Sequence, residues 1–154
     1  MAALARLAPL PDPLPSNSEF DSRLDRLLRL VEADPHQPVG VAGPEALDLM
    51  CGLARRGYAR VEAVSRCTCG CADEKCELMI VSGQDADAIA AVVEKIGRML
   101  RPGGRLAVMT HRLRGMDERR RLGARLAHRG FRYREGGLDG PVVLAMKPEA
   151  EDLA

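Results

Sequence analysis

A chain of 154 residues with 46% apolar and 29% charged side chains is long enough for one hydrophobic core, and its balance excludes a disordered or fibrous protein. No stretch approaches the roughly 18 apolar residues of a membrane span, so the chain reads as a cytoplasmic protein without a membrane partner. The net charge of +1 hides an uneven distribution: eleven arginines fall between Arg101 and Arg134, whereas both termini lean acidic.

Residues 1–15 are apolar and broken by Pro9, Pro11, Pro13 and Pro15, which reads as a flexible arm rather than a signal peptide. Ser16-Asn17-Ser18-Glu19 has the spacing of a capping box. Phe20, Leu24, Leu27, Leu28 and Val31 then repeat with helical period until Asp34-Pro35 ends the helix. Val39-Gly40-Val41-Ala42-Gly43 reads as a buried strand. Pro44 and Glu45 suit the start of a helix, whose expected apolar face is Leu47, Met50, Cys51 and Ala54, with Gly57 as its C-terminal cap. Cys51 is thus expected in the core. Arg60 to Ser65 reads as a second strand, giving a strand–helix–strand unit with a right-handed crossover.

Leu78 to Gly83 predicts a third strand, and Asp85 and Asp87 open a helix carrying Ile89, Val92, Val93, Ile96, Met99 and Leu100. Arg101-Pro102-Gly103-Gly104 breaks it before a fourth strand at 105–110. A charged helix follows from Asp117 to Arg129, closed by Gly130. Two strands, 131–135 and 142–147, flank a Gly-rich turn. Alternating strands and helices give an α/β class: a minimal Rossmann-like, mostly parallel sheet flanked by helices, with a C-terminal antiparallel hairpin and an extra N-terminal helix. Residues 16–148 form one domain, with a Cys-rich connection at 66–77 and an acidic tail at 149–154.

The segment Ile96 to Thr110, IGRMLRPGGRLAVMT, resembles the helix, Arg-Pro-Gly-Gly turn and following strand of class I S-adenosylmethionine-dependent methyltransferases. The ending, with His128-Arg129-Gly130-Phe131 and a last strand reaching Lys147-Pro148, is similar to that family too. The resemblance implies a cofactor crevice at the strand ends, placing Gly40, Gly43, Ser65, Ser82 and Gly83 as candidate S-adenosylmethionine-binding residues. The sequence departs from the family at three places. Pro44 and Glu45 stand in the glycine turn where small residues are expected. Ser65-Arg66 ends the second strand where a carboxylate would accept hydrogen bonds from the ribose. Only twelve residues separate Ser65 from Leu78, too few for the usual helix, strand and helix, although their extended reach of ~40 Å suffices to cross to the next parallel strand.

That connection holds Cys67, Cys69, Cys71 and Cys76. Four thiolates suit zinc or another thiophilic metal in a closed tetrahedral site, while free or redox-active thiols and a disulfide are the alternatives. Arg121, Arg125 and Arg129 form a stripe at i, i+4 and i+8 that could meet nucleic acid, although a solvated charged face is the favoured reading. Neither His111 nor His128 has a nucleophile or carboxylate at motif spacing, and no catalytic residue is named by any motif. The chain therefore reads as a methyltransferase-like domain with a degraded cofactor site, acting as a non-catalytic binding or regulatory module with a cysteine-cluster metal site. An active small methyltransferase and a thiol or metal sensor are the alternatives; a protein or small-molecule partner is expected but not identified.

Overall fold

The computed structural model describes residues 18–64, 75–109, 115–133, 142–149 and 151. The proposed capping-box hydroxyl, Ser16, lies outside them. The first helix, α1 (Ser18–Leu30), is followed by β1 (Val39–Ala42), α2 (Ala46–Arg55) and β2 (Val61–Ala63). Then come β3 (Cys76–Ser82), α3 (Ala86–Ile96), a 3-10 turn (Gly97–Met99), β4 (Leu100–Met109), α4 (Met116–His128), β5 (Arg132–Tyr133) and β6 (Val142–Met146).

These strands make a six-stranded sheet in the order β2-β1-β3-β4-β6-β5. β2, β1, β3 and β4 are parallel, and β6 runs antiparallel to both of its neighbours. Side-chain alternation along each strand sends two sets of residues to opposite faces. Val39, Val41, Leu78, Ile80, Ala107 and Met109 pack with Phe20, Leu24 and Leu27 of α1 and Leu49 and Leu53 of α2. Met79, Val81, Leu106 and Val108 pack with Ile89, Val93 and Ile96 of α3 and Leu122 and Leu126 of α4. The α/β class, the mostly parallel sheet and its antiparallel ending are as the sequence led us to expect.

Several boundaries move. The third strand starts at Cys76, not Leu78, so Cys76 and Glu77 belong to the sheet and not to the Cys-rich connection. α3 stops at Ile96, and Leu100 already belongs to β4. Between paired positions, Cys76 to Leu78 in β3 faces Leu100 to Arg105 in β4, so the Arg-Pro-Gly-Gly segment is looped out of register within the strand. Gly103 accommodates this at φ +77°. Lys147 fixes the loop from the other side. Its backbone exchanges hydrogen bonds with Gly103 and Gly104 (2.8 and 2.9 Å), and its ammonium donates to the carbonyl of Leu100 at 2.7 Å.

The face of α2 is rotated from the expected one. Leu49, Gly52 and Leu53 are buried, whereas Cys51 is exposed and Leu47 is 72% exposed. Neighbouring α1 decides this: a Cβ on Gly52 would lie 2.7 Å from Leu24, so the glycine lets the two helices touch. Arg56 then ties them together, donating to Asp25 (2.7 Å), to Asp21 and to the carbonyl of Gly52. Gly57 and Gly130, at φ +86° and +87°, end α2 and α4 in the left-handed conformation expected of C-terminal caps.

Candidate functional site

In an open α/β sheet the ligand crevice opens at the carboxyl ends of strands where successive crossovers leave on opposite faces. Here that point lies between β1, which leads to α2 on one face, and β3, which leads to α3 on the other. Gly43 ends the first strand with φ +102°, and Ser82 ends the third. Both were singled out in the sequence, and the fold brings them into direct contact. A Cβ on Gly43 would meet the carbonyl oxygen of Ser82 at 2.1 Å and its hydroxyl at 2.6 Å.

Ser82 is 1% exposed and uses its hydroxyl twice. It accepts from the amide of Glu45 at 3.0 Å and donates to the carbonyl of Ala42 at 3.4 Å. The next amide, Ala46, donates to the carbonyl of Gly43 at 3.2 Å, and Pro44 has no amide to give. Positions 44 to 46 of this turn therefore present no spare donor. Anion recognition at a helix start depends on such donors. Carboxylates also crowd the first turns at this edge: Asp48 on α2, Asp87 on α3, and Asp117 and Glu118 on α4. Asp85 caps α3 by accepting from the amide of Ala88 at 2.7 Å.

The other predicted cofactor residues have protein neighbours of their own. A Cβ on Gly83 would lie 2.4 Å from Ile89, and one on Gly40 would lie 3.0 Å from the Cys76 sulfur. Ser65 lies outside the described residues. A cavity of about 260 Å³ remains beside Gly43, walled by Ala63, Val64, Val92 and Lys95.

Of the four predicted metal ligands, Cys67, Cys69 and Cys71 lie outside the described residues. Cys76 is 2% exposed and packs above Gly40 with Met79 and Val64. Val64 and Cys76 thus bracket the Cys-rich connection and meet on the same face of the sheet, the one that carries α3 and α4. Burial, followed by the nearby Glu62 carboxylate, pushes the Cys76 thiol above its ordinary range, while Lys75 and Arg101 pull the other way. Among the described residues no group of three or more His, Cys, Asp or Glu side chains is placed to hold a metal ion. Among the described residues, too, no helix is long and apolar enough to cross a membrane.

The arginine stripe on α4 is neutralised by carboxylates. Arg121 pairs with Glu118 at 3.6 Å, Arg125 pairs with Asp87, and Arg129 pairs with Glu94 at 2.5 Å. Periodicity alone could not show this, because two of the three partners come from α3.

The strand order is the observation that decides the comparison: one antiparallel strand inside an otherwise parallel sheet, with a crevice at the β1–β3 ends. The chain has the class I methyltransferase fold. An S-adenosylmethionine-dependent O-methyltransferase from Thermotoga maritima matches 82% of the chain with a TM-score of 0.57 at 11% identity. A methyltransferase from Aquifex aeolicus matches 82% with a TM-score of 0.52 at 14% identity, and this chain spans 98% of its length. One from Geobacter sulfurreducens, solved with S-adenosyl-L-homocysteine, matches 74% with a TM-score of 0.51 at 16% identity. This methyltransferase-like chain spans 65% of the Thermotoga protein and 65% of the Geobacter protein. No family model and no curated protein matches the sequence.

Proposed function

We propose that this methyltransferase-like chain is a non-catalytic binding or regulatory module, in which the crevice no longer takes S-adenosylmethionine. One observation carries the reading: the β1–α2 turn is satisfied from within by Ser82. The amides of Glu45 and Ala46 are used, Pro44 has none, and the position a side chain on Gly43 would take is filled by the backbone of Ser82. The residues present do not fit the amino-acid part of the cofactor, which needs free donors for its carboxylate. The second strand ends without a described carboxylate to accept from a ribose. Calorimetric titration with S-adenosylmethionine and with S-adenosyl-L-homocysteine tests this directly. Heats no larger than dilution are expected. Saturable binding tighter than about 100 μM would overturn the reading.

The cysteine segment supplies the module's metal in this proposal, with Cys67, Cys69, Cys71 and Cys76 around zinc or another thiophilic ion. Its support is that the side chains of Val64 and Cys76, which flank the segment, both pack over Gly40. A metal there would fix a connection too short for the family's usual elements. One equivalent of metal per chain by elemental analysis, with thiols that react only after chelation, is the expected result. Four freely reacting thiols and no bound metal would remove it.

The likeness to a neighbour solved with S-adenosyl-L-homocysteine favours a second reading, an active small methyltransferase using Gly40, Gly43, Ser65, Ser82 and Gly83. The same titration separates the two.

A further inference from the structure

The apolar stripe that the sequence places on α2 exists, but the core does not use it. Leu47, Met50, Cys51 and Ala54 recur at the i, i+3, i+4 and i+7 spacing of one helix face. The core takes the opposite side, at Leu49, Gly52 and Leu53. Leu47 is 72% exposed, Cys51 and Ala54 are exposed, and Met50 is half-buried. A helix that is apolar on both sides belongs under cover on both. Among the described residues, α1 and the sheet cover only one of them.

The order of sizes along the stripe suits a second copy of itself. Its two bulky side chains, Leu47 and Met50, come first, and its two small ones, Cys51 and Ala54, come last. The stripe is also symmetric about a point midway between Met50 and Cys51. Turning a second α2 end for end about that point sets Leu47 against the partner's Ala54 and Met50 against the partner's Cys51. Each bulky group then meets a small one, which keeps the axes near the separation of packed helices, about 8–10 Å. A parallel pair would set Leu47 on Leu47 and leave a gap at Ala54. Charge agrees with the antiparallel pair. Asp48 and Arg55 lie two turns apart on one flank of the stripe, and both are exposed. A two-fold axis between antiparallel helices brings like flanks together, so Asp48 of each copy lies beside Arg55 of the other. Arg55 also reaches Asp21 of its own chain at 3.5 Å, yet it stays 55% exposed, so a second carboxylate can approach it. The opposed helix dipoles act in the same sense.

We infer that this face of α2 is an isologous interface, on which two copies of the chain pack α2 against α2 antiparallel. A helix of this length is about 15 Å long and about 10 Å across, well short of the ~800 Å² per partner of a standard stable complex. The pair is therefore weak and reversible, with a Kd of roughly 100 μM or more.

Sedimentation velocity of the full chain under reducing conditions, from about 10 μM to about 1 mM, tests this. A concentration-dependent dimer is expected. Leu47→Glu should abolish it and keep the fold, since Leu47 lies outside the core. Charge reversal separates this pairing from any other. Asp48→Arg alone and Arg55→Asp alone should each raise Kd roughly tenfold, because like charges then meet across the two-fold axis. An equimolar mixture of the two variants should recover the dimer, because both cross-pairs are again opposite in sign. A chain that stays monomeric throughout overturns the proposal, whatever then covers the face. So does a dimer that survives Leu47→Glu, and so does a mixture no more dimeric than its parts.

Discussion

A methyl group on Gly43 has nowhere to go: its carbon would sit 2.1 Å from the carbonyl oxygen of Ser82. The two residues end β1 and β3, the strands that flank the crevice, and they make the close approach that holds the strand ends together. Gly43 is a glycine because its φ is +102° and because the neighbouring backbone occupies the space. No ligand is needed to explain it.

Gly43→Ala is therefore expected to destabilise the chain by about 3 kcal/mol or more, since strain at positive φ adds to an overlap with main chain that no rotamer can relieve. Urea denaturation of the two proteins measures it. A cost below about 1 kcal/mol would mean that the strand ends move apart freely, and the account of a closed turn would fail.

Ser82→Ala removes the acceptor for the Glu45 amide and the donor to Ala42, in a buried setting. Loss of a helix-start cap of this kind costs about 1 kcal/mol, and the buried partners add to it. Thermal unfolding is the readout, and the change is expected to come without any gain of S-adenosylmethionine binding. Binding that appears in this variant would show that the serine alone keeps the cofactor out.

The α1–α2 latch has a predictable pH dependence. The hydrogen bond from Arg56, aided by its charge and that of Arg29, holds the Asp25 carboxyl below its usual value. Its contribution is present above the unfolded carboxylate pKa of about 3.9 and is lost as pH falls through the lower folded value. Stability measured from pH 6 down to pH 2 should fall less steeply in Asp25→Asn than in the parent chain. Asp25 is solvent-exposed, so the difference will be small, and it should shrink further in high salt.

Lys147→Met should cost about 1–2 kcal/mol. The ammonium donates to the Leu100 carbonyl at 2.7 Å and lies 3.4 Å from that of Gly97, which also accepts from the Leu100 amide, so it ties the end of the 3-10 turn to the last strand. Methionine keeps the apolar stem but not the donors. Equal stability in the two proteins would show that the backbone pairing with Gly103 and Gly104 is enough to hold the looped-out segment.

Replacing Arg121, Arg125 and Arg129 together by Gln is expected to change stability by less than about 1 kcal/mol, because the pairs are half exposed or more. With their charges matched by Glu118, Asp87 and Glu94, the parent is expected to bind a duplex or single-stranded oligonucleotide only weakly at 0.15 M salt. Fluorescence anisotropy that saturates there, and is lost in the triple variant, would restore the stripe as a nucleic-acid surface.

The sequence by itself determined the elements whose signal is local. Short apolar runs marked the buried strands, and glycines at 57 and 130 marked helix ends because a left-handed residue closes a helix there. The Arg-Pro-Gly-Gly segment with Lys147-Pro148 pointed to the family of folds, since the two are paired across β4 and β6. The sequence also carried the warning at Pro44 and Glu45 that the cofactor turn had changed.

What only the tertiary structure decided was where contacts come from other elements. Helical period could not choose between Leu47, Met50, Cys51 and Ala54 and the true buried face at Leu49, Gly52 and Leu53. That choice was made by α1, which needs Gly52 to approach. The stripe of arginines looked free until α3 supplied its carboxylates. Gly40, Gly43 and Gly83 read as room for a ligand, because a glycine in a sequence shows only that a side chain is missing. The fold shows what stands in that space: Cys76 and Ser82, brought in by a strand distant in the chain, and Ile89 from the first turn of the helix that follows Gly83.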